Sequence, residues 1–138
     1  MQKDRADLKE RLKDHEGFRS EIYKCPAGHY TIGFGHFVGS GGCRISREVA
    51  DLILDEDIHK ATFEYLSLGW DHLSQVRQDV CREMIFWLGL KGFLKFKRMI
   101  TAIEKSDWQK AADEMLDSQA GRNYRARMTE LAMLMIEG

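Results

Sequence analysis

The 138-residue sequence predicts an α+β domain. A small N-terminal sheet lobe, about 17–45, is expected to pack beside a mainly helical lobe of about 46–138 that also takes in an N-terminal helix. A cleft is expected between the two lobes. Two observations carry this class. Between Phe18 and Phe37, aromatic and β-branched residues are punctuated by Pro26, Gly28, Gly33 and Gly35, the composition of short strands and tight turns. From Ser46 onward, apolar residues recur at helical spacing as far as the last few residues. The chain switches from one pattern to the other once, which segregates sheet from helices. Its length suits one domain spanning 1–138.

The elements follow in order. A short helix from about Asp4 to Lys13 has Leu8 and Leu12 four apart on one face, and Gly17 is placed to stop it. FRSEIYK and HYTIGFGHF flank CPAG and predict a hairpin turning near Pro26–Gly28. Gly39–Gly42 (GSGG) is a loop, and Cys43–Ile45 is assigned a third short strand. Ser46 is an N-cap with Glu48 in the first turn, and Val49, Leu52, Ile53 and Ile58 form the expected buried stripe of the helix it opens.

Four more helical stretches follow. Leu73–Leu88 carries Val76, Val80, Met84 and Trp87 and is stopped at Gly89. Phe93–Glu104 carries Phe96, Met99, Ile100 and Ile103. The next opens on Ser106–Gln109 as a capping box and buries Trp108, Ala112 and Met115. The last, after Gly121, presents Met128, Leu131, Ala132 and Met135. There is no internal repeat.

Composition narrows the function. Hydrophobic residues make up 43% and charged residues 31%, enough apolar material for one core and too much for a disordered chain. A net charge of −1 supplies no whole-molecule attraction to nucleic acid, so no nucleic-acid partner is expected. MQKDRADLKERL has no apolar run of the kind a secretory signal needs, and no stretch is apolar for the length of a membrane span, so no stable membrane insertion is expected. Three cysteines, an odd number without an export signal, are expected as reduced thiols.

Chemistry concentrates in His15–His36, HEGFRSEIYKCPAGHYTIGFGH. Glu16 ends the first helix, Cys25 lies at the hairpin turn, and Thr31 sits on the returning strand. Glycoside hydrolysis needs a carboxylic acid to protonate the leaving oxygen. It also needs a group opposite that holds a water or stabilises the oxocarbenium-like transition state. A glutamate at a helix end suits the first role, provided its surroundings lift it above the ordinary value of about 4.3. A thiol and a hydroxyl on the hairpin suit the second.

These residues resemble the phage-type lysozymes, the muramidases of tailed bacteriophages. The pattern is a Glu, eight residues, an Asp or Cys, five residues and a Thr, followed by Ile-Gly-x-Gly-His. Here it is Glu16–Gly17, Tyr23–Lys24, Cys25, Thr31 and Ile32–His36. More loosely, the helix start at Ile45–Ser46, Met84–Gly89 (MIFWLG) and Trp108–Ala112 fall in the same order, so the resemblance covers most of the chain.

The resemblance implies a lysozyme-like fold and cleavage of the β-1,4 bond between N-acetylmuramic acid and N-acetylglucosamine in bacterial peptidoglycan. Glu16 is implied as general acid, Cys25 in the usual aspartate's place and Thr31 as the water-positioning hydroxyl. An arginine of the C-terminal segment is implied beside the glutamate. Arg125 is the candidate and Arg127 its competitor, while His36 closes the strand near the site. No cofactor and no metal are implied. A monomer is expected to wait in the host cytoplasm, be released through a membrane hole made by a holin, and then act on the wall. Delivery on a phage tail is the other route.

Bland readings compete at each position. Glu16 alone would be a surface acid, but its spacing to Cys25, Thr31 and the glycines favours catalysis. Cys25, His29, His36 and Cys43 lack the short paired spacing of structural zinc sites. Cys25 with His29 or His36 would make a cysteine-dependent wall hydrolase, yet Cys25 precedes proline in a hairpin rather than opening a helix. A degenerate fold that binds peptidoglycan without cutting it is the non-enzyme alternative, against which Glu16 and Thr31 speak. Lys91, Lys95, Lys97 and Arg98 form a basic run, ordinarily a solvated face. Trp87 and Trp108 sit at core spacing.

Overall fold

The computed structural model of the chain describes residues 9, 14–15, 17, 19–24, 30–33, 36–39 and 45–138. It divides into two compact units, Met1–Val49 and Ala50–Gly138, each described by itself.

In the first unit Lys9, Asp14 and His15 are helical, and the remainder of the stretch expected as the first helix lies outside the described residues. Gly17 has φ +67°, the left-handed backbone with which a glycine ends a helix, as its place in the sequence predicts. Three strands follow: β1 (Arg19–Lys24), β2 (Tyr30–Gly33) and β3 (His36–Gly39). They form one antiparallel sheet in the order β1-β2-β3. Tyr23 pairs with Thr31 and Lys24 with Tyr30, after a register shift between Arg19 and Tyr23. The Lys24 ammonium lies 5.4 Å from the Tyr30 ring centroid, so this cross-strand pair is also a cation–π contact. HYTIGFGHF, expected as one strand, is two, and the third described strand is His36–Gly39; Cys43 and Arg44 of the strand expected at Cys43–Ile45 lie outside the described residues. Ile45 lies outside any strand.

The second unit is helical. Its helices are α1 (Arg47–Leu66, which begins in the first unit), α2 (Gln75–Leu94), α3 (Lys97–Glu104), α4 (Trp108–Leu116), α5 (Gln119–Asn123) and α6 (Arg125–Glu137). The α+β expectation is corrected on this point. Helices of 20, 20, 8, 9, 5 and 13 residues stand against strands of 6, 4 and 4, so the described chain is mainly helical. Every buried hydrophobic residue among those described lies between Ala61 and Met135, on helices and their connections. The β-rich composition spans only some twenty residues and is cut by glycines, which leaves strands too short to make the sheet one of two equal layers.

Helix boundaries follow local chemistry. The Ser46 hydroxyl accepts from the Val49 N–H at 3.2 Å, the expected cap of α1. The stripe expected on that helix is not buried, however. Val49, Leu52, Ile53 and Ile58 are all exposed, Leu52 by 65%, and the buried residues are Ala61 and Tyr65. Periodicity marks the apolar face of a helix but not how much of its length is covered.

Ser74 caps α2 through the Arg77 N–H at 3.3 Å. Gly89 interrupts this helix at φ +75°, ψ 161°, and the helix then resumes, so Phe93 and Leu94 belong to α2 rather than to the next helix. Ser106 does not cap α4. It takes a left-handed turn (φ 57°), and Asp107 caps instead, accepting from the Lys110 N–H at 3.1 Å.

The core gathers Val80, Cys81, Met84, Ile85 and Phe93 of α2, Met99 and Ile103 of α3, Ala111, Ala112 and Met115 of α4, and Met128, Leu131, Ala132 and Met135 of α6. Trp87 and Trp108 are half-buried against it, as their spacing predicts, whereas Val76 is exposed. Gly121 is buried, and a Cβ there would collide with the Met115 and Leu116 carbonyl oxygens, so only glycine permits α5 to pass so close to the end of α4.

Polar anchors tie the helices together. Arg77 donates from Nε to Met135 O at 2.8 Å and from Nη2 to Ile136 O at 3.0 Å, satisfying carbonyls in the last turn of α6. Its guanidinium also lies 4.0 Å from the Trp108 ring centroid. Arg82 donates to Thr62 Oγ1 at 2.9 Å and to Asp79 at 2.8 Å, joining α2 to α1.

Candidate active site

Thr31 lies on the central strand, with Tyr23 of β1 as its partner on one side and Phe37 of β3 on the other. Ladders on both sides fix its backbone. His36 opens β3 opposite Ile32, one register step from Thr31, and residues one step apart along a strand belong to opposite faces, so the sheet does not bring these two candidates onto one face. Glu16 and Cys25 lie outside the described residues. Their described chain neighbours are Gly17, in its helix-ending conformation, and Lys24, the last residue of β1.

In the second unit the two competing arginines have different partners. Arg125, exposed at the start of α6, donates from Nη1 to the Leu116 carbonyl at 3.1 Å. Arg127 donates from Nε to Glu83 at 3.0 Å and lies 4.4 Å from the Trp87 ring centroid. Tyr124 meets the same indole edge-on at 5.5 Å.

Arg127 and Glu83 help line a groove of ≈ 440 Å³, with Leu54, Ile58 and Ala61 of α1 and Asp79, Arg82 and Phe86 of α2. An apolar wall beside carboxylates and guanidinium groups suits a sugar ring, which offers a hydrophobic face and a rim of hydroxyls. Sequence reasoning did not single out Arg82, Glu83 or Phe86. The available signal was their place on the polar side of the helix that buries Val80, Met84 and Ile85.

Two groups in this unit have displaced pKa values. Burial pushes the Cys81 thiol up to about 12, so it stays protonated and behaves as a core residue. Burial also raises Tyr65, to about 12, with Cys81 and Asp71 adding to the shift, and its hydroxyl donates to the Trp70 carbonyl at 2.8 Å. No cluster of potential metal ligands occurs among the described residues. Of the zinc alternative, Cys25, His29 and Cys43 lie outside them.

The family model for phage lysozyme matches residues 13–128, which include the whole His15–His36 motif and nearly all of the helical unit. The chain belongs to the phage lysozyme family. It is 32% identical to the probable T4-type lysozyme 1 of Dictyostelium discoideum, over 82% of this chain and 84% of that one. It is 28% identical to the endolysin of Acyrthosiphon pisum secondary endosymbiont phage 1, over 76% and 72%. Against the pre-baseplate central spike protein Gp5 of Enterobacteria phage T4 the identity is 24%, over 95% of this chain but only 28% of the spike protein.

This lysozyme is therefore a glycoside hydrolase, a muramidase that hydrolyses the β-1,4 bond between N-acetylmuramic acid and N-acetylglucosamine in peptidoglycan. It acts on the bacterial cell wall. The degenerate-binder and cysteine-hydrolase alternatives are not favoured. None of the described helices is long and apolar enough to cross a membrane.

Proposed function

We propose that Glu16 is the general acid of this muramidase and that Cys25 and Thr31 hold the attacking water, with His36 and Arg125 in support and no metal or cofactor. The observation that carries this reading is the fixed spacing of Glu16, Cys25, Thr31 and Ile32–His36 within the family-matched segment. Glu16 gives its proton to the glycosidic oxygen as the bond to the anomeric carbon breaks. Water held by the Thr31 hydroxyl and by Cys25 as a thiolate adds to that carbon and gives its proton to the thiolate, and exchange with solvent then returns the proton to Glu16. The products are a reducing N-acetylmuramic acid end and a free N-acetylglucosamine hydroxyl.

The two units act as a single catalytic domain in this proposal, and the enzyme works as a monomer. It waits in the host cytoplasm and reaches the wall through a holin-made hole. The likeness to an endolysin supports that route, and the likeness to a pre-baseplate central spike protein keeps delivery on a phage tail as the second reading.

Cys25 provides the test of the water-holding role. Cys25→Asp should remain active, because a carboxylate can hold the water, whereas Cys25→Ala should lose at least tenfold in the rate of wall clearing. Full activity in Cys25→Ala would remove the thiol from the mechanism. Arg125→Ala should reduce activity more than stability. A silent Arg125→Ala beside a damaging Arg127→Ala would transfer the supporting role to Arg127.

A further inference from the structure

The basic run noted in the sequence becomes a concave surface in the second unit. Lys95 follows the last residue of α2, and Lys97 and Arg98 open α3. Two concavities of ≈ 520 Å³ and ≈ 300 Å³ share Lys97 and Arg98 as a common wall. Lys95, Phe96 and Ser118 line the first, and Thr101, Lys105 and Lys110 line the second. Among the described residues Lys95, Lys97, Arg98 and Lys105 take part in no salt bridge, while Lys110 reaches Glu114 at 3.9 Å.

Three acids line the same concavities, Glu114 and Asp117 the first and Asp107 the second, against five cations, and each acid has a partner. Asp107 caps α4, and Asp117 faces Arg122 at 3.6 Å. A chain of net charge −1 thus holds a local positive groove. Helix stability does not account for it, because the first turn of α3 holds two cations and no acid, where the helix dipole disfavours positive charge.

We propose that this groove binds a phosphodiester polymer of the bacterial envelope, as a recognition site apart from the residues that cut the glycan. This rests on the assignment of the chain as a wall hydrolase. A polymer strand fits better than a bilayer, because Met99, Ala102 and Ile103 of α3 are already buried and leave that helix no apolar face to insert. A phosphodiester repeat places one negative charge on every unit, so a single strand meets successive cations across both concavities. The Thr101 and Ser118 hydroxyls add neutral donors. Nucleic acid would also want exposed aromatic platforms, and the groove's one aromatic, Phe96, is half-buried against the core.

The test compares the wild type with Lys97→Gln/Arg98→Gln/Lys105→Gln, its fold checked by circular dichroism. Binding to poly(glycerol phosphate) is measured by calorimetry, so the result does not depend on glycan cleavage. Four neutralised phosphates predict that a threefold rise in salt weakens wild-type binding roughly twentyfold. The triple variant should bind at least tenfold more weakly. It should also clear polymer-bearing walls severalfold more slowly, and clear walls stripped of the polymer by hydrofluoric acid at the wild-type rate. Equal affinity of the two proteins, equal wild-type binding to stripped and unstripped walls, or tighter binding to single-stranded oligothymidylate would each overturn the proposal.

Discussion

The two units of this lysozyme differ in what their sequences are used for. Residues 50–138 supply every buried hydrophobic residue among those described, and the groups there with displaced pKa values, Cys81 and Tyr65, are interior ones. Residues 1–49 supply the short sheet and four of the five candidate site residues, Glu16, Cys25, Thr31 and His36. Among the described residues the buried core therefore lies in one stretch of chain, and most of the residues proposed for the chemistry lie in the other. A substitution in one should move a thermal or denaturant transition, and a substitution in the other should move a rate.

The largest stability effect is expected at Phe93, fully buried against Trp70 with ring centroids 6.0 Å apart. Phe93→Ala should lower the unfolding free energy by about 3–5 kcal/mol in a urea titration. A loss under about 1 kcal/mol would mean that the helical unit does not carry the stability. Arg77→Ala should cost less, about 1–3 kcal/mol, by freeing the Met135 and Ile136 carbonyls and the face of Trp108. It should also speed amide exchange at the end of α6 before the rest of the unit.

A third effect depends on pH and appears on the alkaline side. Cys81 has its folded pKa raised from 9.0 to about 12 and Tyr65 from 10.0 to about 12. Their contributions are complete below about pH 9, and they are lost as the unfolded chain releases protons that the folded one still holds. Stability should fall between pH 9 and 12, and Cys81→Ala should flatten the part of that decline between pH 9 and 10. A pH-independent transition over this range would contradict the burial of both groups.

The same contrast governs what the sequence made legible. Met128, Leu131, Ala132 and Met135 are all buried on α6, because a helix covered along its length displays its period plainly. Leu52 and Ile53 follow the same rule on α1 and are exposed, since coverage is a tertiary property that no local pattern records. Ser106 carries the right side chain for a cap, but the backbone turns left-handed there and the role passes to Asp107. Gly89 breaks the helix as expected, yet nothing in its neighbourhood foretold that the helix would resume.

The sheet is less legible than the helices, because β-rich composition announces strands without announcing how short they are. The motif was legible for a different reason. Chemistry constrains residue type and spacing together, so Glu16, Cys25 and Thr31 stand out where single residues would not. Glu83 and Arg127 were harder to pair, being 44 positions apart and joined only by the packing of α2 against α6.

The most direct measurement is the rate at which Glu16→Gln releases reducing N-acetylmuramic acid ends from purified peptidoglycan, set beside its thermal transition. The glutamine keeps the shape of the side chain and removes the transferable proton. A loss of about a thousandfold or more in rate is expected, in keeping with a proton donor that acts in the transition state, with a melting temperature close to that of the wild type. Near wild-type release of those ends by a folded Glu16→Gln protein would contradict that role.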